Sequence, residues 1–106
     1  MRVRKTVRFL RELNASTAWY AANRSPTYAG RFYEAAMAAA ARLRGNPAAG
    51  TISRESDDLP GGTYREVYFG VGRSPSHRLV FRDAAPDVEV VAGRGFGQPD
   101  LTPGDV

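Results

Sequence analysis

Apolar and polar residues alternate strictly at the start of the chain. Val3, Lys5, Val7 and Phe9 share one side, and Arg2, Arg4, Thr6 and Arg8 the other. That period of two predicts a half-buried strand over residues 2–9 with a basic outer side, whose charges also suit an edge that must resist sheet-to-sheet pairing. From Leu10 the period lengthens: Leu10, Leu13, Thr17, Tyr20 and Ala21 form a helical stripe running to Asn23. Trp19 and Tyr20 read as core anchors of that helix, in preference to a stacking platform. Ser25 then suits an N-cap and Pro26 a first helical position. A second helix follows to about Arg44, with Ala29, Phe32, Ala36, Ala39, Ala40 and Leu43 at helical spacing and Gly45, Asn46 and Pro47 as its stop. So short a connection makes the pair an antiparallel hairpin.

Residues 48–62 are a polar linker. Its acidic group Glu55, Asp57 and Asp58 lacks the glycine turn and closing glutamate of a calcium loop and reads as solvated. Residues 63–94 then form a meander of three short strands, broken by turn clusters at 72–76 and 83–87. On the first strand Arg65, Val67, Phe69 and Val71 alternate with Tyr64, Glu66 and Tyr68. On the second, His77, Leu79 and Phe81 alternate with Arg78, Val80 and Arg82. The third carries Val88, Val90 and Ala92 on one side and Glu89 and Val91 on the other, ending at Arg94. The order strand, helix, helix, strand, strand, strand predicts an α+β domain over residues 1–95: a small antiparallel sheet of four strands with the helical hairpin on one face. Residues 96–106 read as a mobile tail. If the first strand joins this sheet, Arg4 and Arg8 share an open face with Arg78 and Arg82.

Composition narrows the chemistry. The 106 residues suit one domain, no apolar run is long enough for a membrane span, and the basic N-terminus has no apolar stretch behind it, so a cytoplasmic protein is expected. The absence of cysteine excludes disulfides and thiolate metal sites; with a single histidine, His77, a conventional zinc site is not expected either, nor is any other metal or cofactor. The net charge is +4, and all basic residues but Lys5 are arginines. GC-rich coding explains such a bias as well as function does, yet guanidinium is the better fork for phosphate and carboxylate. Nucleic acid and an acidic protein partner are both compatible with it. Arg73, Arg78, Arg82 and Arg94 can hold a phosphate and stabilise charge, but arginine stays protonated and is a poor base. His77 lies on the Leu79 side, where a structural histidine is the plainer reading and a general base the sharper one. Tyr64 and Tyr68 are the other proton-transfer candidates.

The segments VRF (7–9), AWY (18–20), SPTYAGRF (25–32), RLRGNP (42–47), TYRE (63–66), HRLVFR (77–82), VEVVAGR (88–94) and QPDLTP (98–103) follow one another in an order and spacing that resembles the RelE/ParE superfamily, toxins of bacterial type II toxin–antitoxin pairs. The resemblance implies a small α+β toxin neutralised by a cognate antitoxin. In the RelE branch it implies ribosome-dependent, metal-independent cleavage of mRNA, and in the ParE branch poisoning of DNA gyrase without those catalytic residues. A weakly toxic, antitoxin-binding homologue is the third expectation. Under the nuclease reading Arg78, Arg94 and His77 are the catalytic candidates, Arg78 matching the phosphate ligand of the family's x-R-L-V-Y strand. Arg4, Arg8, Arg65, Arg73, Arg78 and Arg82 are the phosphate- or RNA-binding candidates. The chain departs from the RelE pattern in two ways: 66–72 holds no lysine, and no tyrosine or histidine follows Arg94.

Overall fold

A computed structural model describes every residue except Pro47 and Ala49, so the proline read as part of the helix stop lies outside the described residues. The first correction comes at the N-terminus. Strand β1 is only Val3–Lys5, and helix α1 spans Val7–Asn23. Thr6 is the pivot: its amide still donates to the Val90 carbonyl at 3.0 Å, while its hydroxyl accepts the Phe9 amide at 3.1 Å as an N-cap. Residues 7–9 therefore leave the alternating pattern, and Phe9 is wholly buried while Val7 is exposed. Helix α2, Pro26–Arg42, starts as the sequence predicts, with the Tyr28 amide donating to Ser25 Oγ at 3.0 Å.

Because α1 begins earlier, its inner line runs from the buried Phe9 and Leu13 to the half-buried Tyr20, leaving Leu10 and Ala21 at the surface. Tyr20 is the anchor, with ring centroids 4.9 Å from Phe32 and 5.0 Å from Tyr28. Trp19, one residue back and so rotated by about 100° on the helix, is 59% exposed and does not serve the core.

The chain then adds strand β2 (Thr51–Ile52), a 3₁₀ turn (Ser56–Asp58), and strands β3 (Tyr64–Phe69), β4 (His77–Ala84) and β5 (Asp87–Gly95). The sheet has five strands where the sequence predicts four, in the order β1-β5-β4-β3-β2. β1 pairs parallel to β5, so the sheet is mixed; the meander itself is antiparallel as expected. The hairpin covers one face, and the main core lies there: Phe9, Leu13, Phe32, Ala36, Leu43, Phe69, Leu79, Phe81, Val88 and Val90.

A shift in register between Val80 and Phe81 changes what the other face carries. Phe81 pairs with Val90 and Val80 with Ala92, so Val91 is an extra residue in β5. An extra residue reverses the alternation beyond it. Ala92, expected beside Val88 and Val90, instead joins Val80 and Val91 on the second face, and Arg94 arrives opposite Arg78.

That second face is not open. Leu59, Tyr64, Val80, Val91, Ala92 and Leu101 form a smaller core on it, built by the 53–60 loop and by the chain's last residues. Where the sequence suggests a mobile tail, Leu101 is 3% exposed against the sheet.

Candidate functional site

The face opposite the hairpin gathers most of the predicted site residues. Arg78 sits in the middle strand, cross-strand from Tyr68 and Arg94, and is 2% exposed. Its Nη1 and Nη2 donate to Glu55 Oε1 and Oε2, each at 2.6 Å, and Nη1 also donates to Glu66 Oε1 at 3.2 Å. Asp100 stands 3.9 Å from Nη2. This is a bidentate fork between two planar ions, with a second carboxylate behind it. Glu55, read from sequence as solvated, is itself 2% exposed and also accepts the Leu101 amide at 2.9 Å and the Ser53 hydroxyl. Burial works against its charge, but the hydrogen bonds from Arg78, Ser53 and Leu101 outweigh it and hold the carboxyl down at about 2. The same bond to Glu55 pushes the Arg78 guanidinium further up. Asp57 and Asp58 do lie at the surface.

The neighbouring arginines are matched in the same way. Arg82 donates to Glu89 at 2.8 Å and to the Gly61 carbonyl at 3.4 Å. Arg4 lies 3.7 Å from that same Glu89 and 3.8 Å from Asp87. Arg8 comes to this face from the first turn of α1, not from a strand, and meets Asp105 at 2.6 Å. Arg94 lies between Glu12 at 3.3 Å and Asp105 at 3.5 Å, and burial raises the Glu12 carboxyl despite that neighbour. Arg54 pairs with Asp100 at 2.5 Å. Six arginines of this region thus face seven carboxylates, so the surface expected to be cationic is neutralised from within.

The remaining candidates are elsewhere. Arg65 lies on the hairpin side and donates to the Gly50 carbonyl at 3.3 Å. Arg73 is exposed in the β3–β4 turn and, among the described residues, has no ion-pair or side-chain hydrogen-bond partner. His77 is on the opposite side of the sheet from Arg78, its ring 4.8 Å from Phe32 and 5.5 Å from Phe69, with Nδ1 2.7 Å from Ser76 Oγ. Burial pulls its pKa below the usual imidazole value. The fold therefore brings Arg78 and Arg94 together and keeps His77 apart from them. Tyr64 spends its hydroxyl on the Pro60 carbonyl, whereas Tyr68 is half-exposed beside Arg78.

Besides Arg73, exposed arginines without ion pairs lie along the helical hairpin and just after it. Among the described residues, Arg11, Arg31, Arg42 and Arg44 enter no ion pair, and Arg24 lies over the Tyr28 ring at 4.2 Å. Exposed aromatics cluster at the end of the sheet nearest the C-terminus of α1. Trp19 and Phe96 flank a recess of about 550 Å³ with Tyr20, His77 and Gln98 on its walls, and Phe96 meets Tyr68 edge-on at 5.7 Å.

A family model described as the ParE toxin of the type II toxin–antitoxin system parDE matches residues 3–92, from β1 into β5. The chain belongs to that family. It is thus the toxin partner of a type II toxin–antitoxin pair, and membership implies a cognate antitoxin. The two helices packed on the sheet are consistent with the RelE/ParE-like fold. No curated protein matches the chain. Among the described residues no helix is long and apolar enough to cross a membrane.

Sequence reasoning missed Glu55, Asp100, Leu101 and Asp105, which close the second face. The available signal was Leu101, an aliphatic residue next to Asp100 in an otherwise turn-like segment.

Proposed function

We propose that this toxin acts in the cytoplasm by binding a protein target, DNA gyrase being the one its family implies, and does not cut RNA itself. The observation that carries this reading is the closed fork between Arg78 and Glu55. Cleavage of RNA by its own 2′-hydroxyl needs a base, an acid and free cations at the scissile phosphate. Arg78 has both Nη groups committed to carboxylates, and His77 is across the sheet among aromatic rings. Protein recognition asks for something else: exposed Trp, Tyr and Arg side chains around a shaped surface. Trp19, Tyr68, Phe96 and the unpaired arginines supply that set.

Inducible expression in a bacterial host tests the reading. Trapped gyrase–DNA breaks and altered plasmid topology, with unchanged transcript ends, are the expected outcome. In-frame cuts in translated mRNA, without gyrase-linked breaks, would overturn it.

A further inference from the structure

The second face of the sheet is built like a peptide groove with a peptide already seated in it. Residues 98–106 cross that face without forming a strand. Three side chains hold them. Asp100 meets Arg54 at 2.5 Å, Leu101 fills the apolar pocket of Leu59, Tyr64, Val80 and Val91, and Asp105 meets Arg8 at 2.6 Å and Arg94 at 3.5 Å. Thr102 and Asp105 close a turn on each other, which fixes the spacing between the leucine and the second carboxylate. One backbone bond, from the Leu101 amide to Glu55, anchors the middle.

We propose that this groove is an interaction surface for a partner-protein segment with the pattern carboxylate, leucine, three residues, carboxylate, which the chain's own C-terminal residues occupy in its absence. Three features argue for it. The segment is held by side chains and contributes no strand to the sheet, so it can lift away with the sheet's hydrogen bonds intact. Its removal strips Arg8 and Arg54 of their partners and leaves cations at both ends of an apolar pocket, complementary in charge to such a segment. Finally, the Arg8 and Arg54 side chains are already 45% and 58% exposed, so an incoming carboxylate can engage either one before the resident segment has left. The inference is independent of which target the toxin acts on.

The test uses the full chain and a fluorescent peptide with the sequence of residues 97–106. Asp100→Asn combined with Asp105→Asn weakens the resident segment and leaves the groove intact. By anisotropy the double variant is expected to bind the peptide at least about tenfold more tightly than the unmodified chain, and a peptide with alanine in place of its leucine is expected not to bind. Hydrogen exchange on the unmodified chain requires no substitution. There the Leu101 amide is expected to exchange faster than the β4 and β5 amides, and faster still with excess unlabelled peptide. No saturable binding to the folded variant would overturn the proposal, as would a Leu101 amide that opens only together with the sheet. A concentration-dependent dimer in place of peptide binding would assign the groove to exchange between copies and equally overturn it. If the double variant does not fold, the exchange measurement alone decides. Failure here leaves the gyrase reading standing, since neither measurement involves toxicity.

Discussion

Replacing Glu55 with glutamine is the sharpest probe of the second face. The change keeps the shape and one acceptor but removes the charge that both Nη groups of Arg78 contact. Arg78 is left 2% exposed, with only Glu66 at 3.2 Å and Asp100 at 3.9 Å to balance it. Breaking one partner of a buried ion pair costs about 3–5 kcal/mol, because the other ion keeps its desolvation penalty. In a domain with about 5–15 kcal/mol of total stability, that is a large share of it. Combining Glu55→Gln with Arg78→Met removes both ions, and this double variant is expected to recover about half the loss or more. Urea denaturation followed by far-UV circular dichroism measures both. Trp19 fluorescence is a poor reporter, since that side chain is already 59% exposed in the folded state. A loss below about 1 kcal/mol for Glu55→Gln, or strict additivity with Arg78→Met, would refute the reasoning.

Acid should destabilise the protein in two stages. The His77 pKa is lowered by burial, so the unfolded chain takes up its proton first and stability falls as pH drops below the ordinary 6.5. The Glu55 pKa is also lowered, so its contribution is complete above 4.5 and is lost as pH falls toward about 2; thermal melts across pH 3–8 separate the stages, and a His77→Phe variant should lack the first. Leu101→Ala should cost about 2–3 kcal/mol in the same urea assay, where an unanchored tail would cost nothing measurable. Trp19→Ala should leave stability within about 0.5 kcal/mol of the parent yet weaken target binding by about tenfold or more, read as the concentration needed to inhibit purified gyrase.

What the sequence revealed divides along physical lines. The hairpin was legible because Ser25 and Pro26 mark its second helix locally, and β3, β4 and β5 because turn residues bracket each alternating run. Residues 6–9 satisfied both periods, Val7 and Phe9 as a strand and Phe9, Leu13 and Tyr20 as a helix, so only the Thr6 cap decides between them. The side of Arg94 was hidden because one extra residue at Val91 reverses the pattern, and that register belongs to strand pairing, not to a single strand. Glu55 carries no local sign of burial: its charge is stable inside only because Arg78, twenty-three positions on, and the Leu101 amide converge on it. Arginine content pointed to a cationic face, but Arg78, Arg82 and Arg94 on the sheet found internal carboxylates, while Arg11, Arg31 and Arg42 on the helices and Arg73 in the β3–β4 turn lie exposed without one.

Arg78 is a structural ion and not a phosphate ligand. The most direct test of that role is growth inhibition by a variant carrying Arg78→Met, Glu55→Gln and Glu66→Gln together, which removes the buried charges as a set and is checked for native fold by circular dichroism. Toxicity close to that of the parent is the predicted result; a natively folded variant that no longer inhibits growth would contradict the account.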